Sequence, residues 1–239
     1  MAEFLTLARE VAGFCPNVAV EPCFLELAQP NFAEGVDRAV GRGVRRLTVM
    51  PLLLFAAGHA KRDIPRDIAT AAARHPGVSI RQAGHLGCHE AVLTLSERRC
   101  HEALSPFREV PDRDTLLLLV GRGSNDAEAT REMVRFSQLR HQRQPVGRLE
   151  NCFLALAEPS LEQALVAIAS LPYSRVIVQP HLLFLGELLD RVHRSIAATA
   201  AEQPRREWIV TCPLGGDPGL AQAILEIAGV GTRDGATRP

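Results

Sequence analysis

Short apolar runs alternate along this chain with longer stretches whose apolar positions recur at helical spacing. In the second half the runs DTLLLLVG (114–121), VGRLENCFLAL (146–156), SRVIVQPHLL (174–183) and REWIVTC (206–212) read as strands. Helical patterns fill the intervals at 125–141, 159–171, 186–202 and 217–228. In the first half the pattern predicts strands at 18–25, 46–54 and 78–83, with helices at 2–13, 30–42, 61–75 and 89–104. Runs that stay apolar on both faces, each followed by a helix, predict an α/β fold with parallel sheets covered on both sides.

The pattern is also a duplication. FLELAQP…RRLTVMPLLLFAAGHAKR matches FLALAEP…SRVIVQPHLLFLGELLDR at a constant spacing of 129 residues, without a gap from Phe24/Phe153 to Arg62/Arg191. Such self-similarity predicts two tandem domains. Residues 1–108 form the first and 112–229 the second, joined by a linker between Pro106 and Asp114. The tail at 230–239 lacks periodicity and is expected to be frayed. At two polar positions the copies part. Glu26 faces Ala155, and His59 faces Leu188. A carboxylate and an imidazole present in one copy and apolar in the other predict a working first half and a degenerate second half.

Composition narrows the function classes. Apolar content of 46% and charged content of 23% are those of a globular protein. Acidic and basic residues balance at 27 each, which gives no support to nucleic-acid or membrane-surface binding. No apolar run approaches bilayer length, and the chain opens on an amphipathic helical pattern rather than a signal peptide. The six cysteines form no C-x-x-C pair and read as reduced, mostly buried thiols. A cytoplasmic location is therefore expected.

The chemistry concentrates in PLLLFAAGHAKRDIP, Pro51 to Pro65. A strand ends in Ala-Ala-Gly and His59 follows at a helix start, beyond the carboxyl end of the strand, where open α/β sheets bind ligands. Glu26 holds the corresponding place after the strand 18–25. Lys61 and Arg62 follow His59 and suit a ligand carrying several carboxylates. Arg66 reads as a solvated helix face. GRGSND (121–126) reads as an anion-friendly nest between strand and helix. GHLGCHE (84–90) gathers His85, Cys88 and His89, with Cys100 and His101 beyond, but matches no standard zinc pattern. His181 and His193 read as structural.

On FLELAQP, PLLLFAAGHAKRDIP, LLLVGRGSND, FLALAEPSLEQAL, VIVQPHLLFLGELLDR and the Leu-Gly turns at 86–87 and 214–215, the chain resembles the CbiX-type sirohydrochlorin cobaltochelatases of the class II tetrapyrrole chelatase group. The resemblance implies two tandem flavodoxin-like domains and insertion of a divalent metal into sirohydrochlorin. It implies Co²⁺ foremost, for cobalamin, with Fe²⁺ for sirohaem or Ni²⁺ as alternatives, and no organic cofactor. By the same resemblance His59 binds the metal and accepts pyrrole protons and Glu26 assists at the metal, while cations such as Lys61 and Arg62 suit the peripheral carboxylates of the ring. Imidazole and carboxylate suit all three metals. Oligomeric state is open.

The resemblance also implies a second histidine, in an HGSR motif after the first strand. Its counterpart in the second repeat is Arg122 of GRGS, and the spacing of 129 places the first-repeat equivalents of Arg122 and of the strand Leu116–Val120 ahead of Met1. The first domain is therefore expected to lack its first strand. The chain is expected to be the product of a start assigned too late, with a strand and an HGS-like motif encoded upstream. A non-catalytic tetrapyrrole- or metal-binding protein is the alternative from another class.

Overall fold

The computed structural model describes residues 1–105, 112–144 and 146–231, with the side chains of His59 and Asp112 outside that description. The expected tail lies outside it from residue 232, as does most of the expected linker. By packing, the chain forms two compact units. One comprises Met1–Leu86 together with the residues from Gly216 onward, and the other Gly87–Gly215. Both are α/β with parallel strands.

The unit Gly87–Gly215 contains α4 (Glu90–Leu104), β3 (Thr115–Gly121), α5 (Ala127–Arg143), β4 (Arg148–Phe153), α6 (Leu161–Ala169), β5 (Arg175–His181), α7 (Glu187–Glu202) and β6 (Glu207–Val210). Its sheet has the order β4-β3-β5-β6, all parallel. β3 pairs on both sides, Leu118 with Glu150 and with Val178. Alternation sends Leu116, Leu118 and Val120 to the face covered by α6 and α7, where they meet Leu161, Leu165, Ile168, Val192 and Ile196. Each such buried aliphatic side chain contributes about 1.5–3 kcal/mol.

The opposite face carries a polar network. Gln179 on β5, Ser96 on α4 and Arg140 on α5 are all fully buried. The Ser96 hydroxyl donates to Gln179 Oε1 at 3.1 Å and accepts from Arg140 Nε at 3.0 Å, while Gln179 Nε2 donates to the Ser96 carbonyl at 2.7 Å. Arg99 donates to the carbonyls of Pro213 and Gly215. These bonds fix α4, a first-repeat helix, onto the second sheet. Reciprocally α8 (Pro218–Ile227), the last helix of the second repeat, packs on α1 (Ala2–Phe14) in the other unit. The compact units therefore do not coincide with the expected domains 1–108 and 112–229: each holds a terminal helix of the other.

That other unit contains α1 (Ala2–Phe14), α2 (Phe32–Gly41), β1 (Arg46–Val49), α3 (Ile64–Arg74), β2 (Ser79–Gln82) and α8. Phe32, Val36 and Ala71 form its core cluster, with Leu47, Val49, Ile68 and Ile80 packed around them. Its described sheet has only β1 and β2, with Arg46 opposite Ser79, the counterpart of the β5–β6 pairing. The expected strand at 18–25 is extended chain without a ladder, save the isolated bridge Phe24–Asn31. The expected strand at 46–54 stops at Val49. Both departures share a cause. β4 pairs only with β3, and the last three residues of β5 (Gln179, Pro180, His181) pair with Leu119, Val120 and Gly121 of β3. The described first repeat has no equivalent of β3, so these segments lack the partner that makes a strand.

His181 ends β5 fully inside the core, its ring centroid 4.3 Å from that of Phe136. Burial pushes its pKa down to about 3. The unfolded chain protonates this imidazole near pH 6.5, roughly its ordinary value. Below that, the unfolded state binds a proton that the folded state refuses until pH about 3. Stability is therefore lost as pH falls through this window, at up to about 1.4 kcal/mol per pH unit. His181→Leu is expected to remove about one proton from the slope of unfolding free energy against pH between roughly pH 4 and 6. Urea midpoints at several pH values measure this, and an unchanged slope refutes it.

Candidate functional site

Glu26 lies in the loop between Phe24 and Asn31. The loop closes on itself: the Phe24 amide donates to the Pro30 carbonyl at 2.9 Å, and the Asn31 amide donates to Gln29 Oε1 and Glu34 Oε2, both at 2.9 Å. Asn31 and Glu34 complete a capping box that starts α2, as Ser160 and Gln163 do for α6. The copy at Phe153–Ser160 reproduces the conformation, including the bridge, the cis Glu158–Pro159 bond matching cis Gln29–Pro30, and a left-handed leucine at 156 matching Leu27. Against this shared frame Glu26 is exposed, and Ala155 stands in its place in the copy.

His59 opens a π-helical turn, His59–Asp63, that runs directly into α3. The equivalent residues after Gly186 are ordinary α-helix in α7. π turns inside helices recur at functional sites. The turn is tied down from below: the buried Ala60 offers its carbonyl to Gln82 Nε2 at 2.9 Å, and Ile64 is buried one residue after the turn. Leu188, at the position of His59, instead packs against the apolar core of its unit. The second copy thus uses a core anchor where the first carries an imidazole.

Lys61 and Arg62 are both exposed on this turn. The second repeat shows what the arginine does when it is structural. Arg191, the counterpart of Arg62, donates to the Leu154 carbonyl at 2.7 Å and pairs with Glu162 at 2.8 Å, holding the Glu162 carboxyl below its ordinary range. That bond joins the start of α7 to the loop that carries Ala155, so in the copy the equivalents of the His59 turn and the Glu26 loop lie side by side. In the first repeat Ala33 replaces Glu162, and Arg62 has no carboxylate partner among the described residues. Its guanidinium lies over Gly58, where a Cβ would come within 2.8 Å of Nη2. Arg66 pairs with Asp63 and Asp67 on an exposed face, the solvated role read for it.

In GRGSND the Asp126 amide donates to Ser124 Oγ at 3.0 Å. The carbonyls of Gly121 and Arg122 accept from the Leu154 and Ala155 amides at 3.0 and 2.9 Å. The first turn of α5 is already capped by a carboxylate, Asp126 accepting from the Glu128 amide at 2.9 Å. In GHLGCHE, His89 caps α4 by accepting from the Ala91 amide, and Cys88 Sγ points to the Glu132 carbonyl. Among the described residues no group of three or more His, Cys, Asp or Glu side chains is arranged to hold a metal. Cys15, Cys100 and Cys152 are buried, and burial pushes the Cys152 thiol up to about 12, so it is inert. No described helix is long and apolar enough to cross a membrane.

Two features escaped the sequence. One is the π turn at His59, which periodicity does not distinguish from an α-helical start. The other is Leu27, an apolar residue just beyond the expected strand at 18–25 that the structure holds out in solvent.

Comparison with known proteins gives a consistent answer. A sirohydrochlorin ferrochelatase of Priestia megaterium is 32% identical over 204 residues, 85% of this chain and 74% of that protein. A sirohydrochlorin cobaltochelatase of the same organism is 27% identical over 212 residues, 89% of this chain and 69% of that protein. The structure of SirB from Bacillus subtilis with Fe³⁺ is similar with a TM-score of 0.82 at 27% identity, covering 95% of this chain and 89% of that one. The CbiX family model matches residues 1–103 and again 116–228, once per repeat. With both repeats matched over nearly all of its length, the chain belongs to the CbiX family.

Proposed function

We propose that this chain is a sirohydrochlorin chelatase whose working residues sit in the first repeat. The match of both repeats to the CbiX family carries the reading, and the named relatives act on sirohydrochlorin. The reaction exchanges two pyrrole N–H protons of the free macrocycle for one divalent cation. His59 ligates the incoming metal through a neutral imidazole nitrogen and accepts a proton as the metal passes to the ring. Glu26, exposed on its rigid loop, supplies an oxygen ligand and a second proton acceptor. Lys61 and Arg62 bind the peripheral carboxylates of the ring, Arg62 having no carboxylate of its own among the described residues. Ala155 and Leu188 leave the second repeat without this chemistry.

The substrate metal is Co²⁺ or Fe²⁺. One relative is a ferrochelatase and the other a cobaltochelatase, and nitrogen and oxygen donors accept both ions. Purified protein mixed anaerobically with sirohydrochlorin and either ion is expected to shift the macrocycle absorbance faster than the uncatalysed reaction. Rates equal to the protein-free control with both metals refute the enzyme. Stoichiometric binding of sirohydrochlorin without turnover would then make the chain a tetrapyrrole-binding member of its family.

A further inference from the structure

Among the described residues, two that are not glycine have positive φ, and they occupy equivalent positions. Leu27 has φ of 63° and Leu156 of 61°. The left-handed region is unfavourable for a leucine, and glycine or asparagine would occupy it with less strain. Packing does not compensate. Leu27 is 103% exposed and Leu156 63% exposed. Nor is the loop slack, because the Phe24–Pro30 and Asn31–Gln29 bonds close it and the capping box anchors it to α2. An apolar side chain thus stands in water, on left-handed backbone, next in sequence to the exposed carboxylate Glu26. The left-handed leucine recurs at Leu156, so the conformation belongs to the shared loop; what the first repeat adds is the fuller exposure of its leucine beside the carboxylate of Glu26.

We infer that Leu27 is a substrate-positioning residue, whose isobutyl group presses on the apolar face of the tetrapyrrole ring while Glu26 addresses its centre. This rests on the sirohydrochlorin chelatase reading. A conjugated macrocycle is apolar on its faces and charged at its rim. It therefore needs an apolar contact for the face as well as cations for the carboxylates. Leu27 supplies the first, and Lys61 and Arg62 the second. The hydrogen bonds of the loop set the leucine backbone before the ligand arrives, so binding has only its side chain to order.

The test compares wild type with Leu27→Asn, which is polar and tolerates left-handed backbone, and with Leu27→Met, which keeps an apolar contact. Sirohydrochlorin binding without metal, kcat and KM for insertion, and Tm are measured on each. Leu27→Asn is expected to keep or raise Tm, to weaken binding and raise KM by roughly 10-fold, and to change kcat little. Leu27→Met is expected to restore binding to within a few-fold of wild type. A Leu27→Asn protein that binds and metallates sirohydrochlorin as wild type does overturns the role of Leu27 alone. Wild-type protein that neither binds nor metallates sirohydrochlorin overturns the chelatase reading, and the role of Leu27 falls with it.

Discussion

His59→Ala is expected to reduce metal insertion by at least ~100-fold, the scale of losing a positioned proton acceptor, with further loss from the missing metal ligand. The fold should be unaffected. The turn that His59 opens is fixed by its neighbours, through the buried Ala60 and Ile64 and the Gln82 bond to the Ala60 carbonyl. The second repeat has a leucine at this place, so the imidazole is not a requirement of the architecture. Sirohydrochlorin binding should survive, because the cations assigned to its carboxylates remain. Single-turnover insertion, ligand titration and thermal melting on one preparation separate these effects. A variant that keeps most of the wild-type insertion rate removes His59 from the mechanism.

Gly123→Ala is expected to cost on the order of 3–5 kcal/mol, about 10 °C in Tm. Gly123 has φ of 88°, and a Cβ there would stand 1.7 Å from the Ala155 carbonyl oxygen. Strain and collision act together at the turn where β3 hands over to α5. Gly216→Ala separates the two. Its φ is 73°, but nothing lies within 4 Å of the added carbon. Only the left-handed penalty of about 1 kcal/mol applies there. Similar losses for both substitutions in denaturant titrations would mean that the approach of Ala155 does not constrain the turn.

Most of the element pattern was legible because the duplication let each repeat check the other. The helix expected at 89–104 is Glu90–Leu104, and the one expected at 186–202 is Glu187–Glu202. The strand expected at 18–25 fails chiefly for want of a neighbour, and Pro22 within it has no amide to give a ladder. Its residues are mostly apolar, but a strand exists only when a neighbour completes its ladder. For the same reason MPLLLF after Val49 stays irregular while its counterpart QPHLLF begins inside β5. Glu26 and His59 stood out because the second repeat lacks them. Leu27 did not, because both repeats share it and leucine normally signals core. At GRGSND, Gly123 allows the close passage of the 153–156 loop.

The exchanged helices set the order in which the molecule can be completed during synthesis. Domains ordinarily fold as they emerge, the amino-terminal one first. Here the unit built on β1 and β2 needs α8, so it closes only after residues 218–227 have left the ribosome. Meanwhile α4 emerges early, carrying Val92, Leu93 and Leu95 that end up fully or almost fully buried, and must wait for β5 and β6. Throughout that interval an apolar helix and an unfinished sheet coexist on one nascent chain. Cutting the gene between the repeats would yield two fragments, each missing a helix of its own compact unit and carrying one that belongs to the other. In the folded chain each compact unit thus holds a helix of the other repeat, although the sequence still reads as two copies.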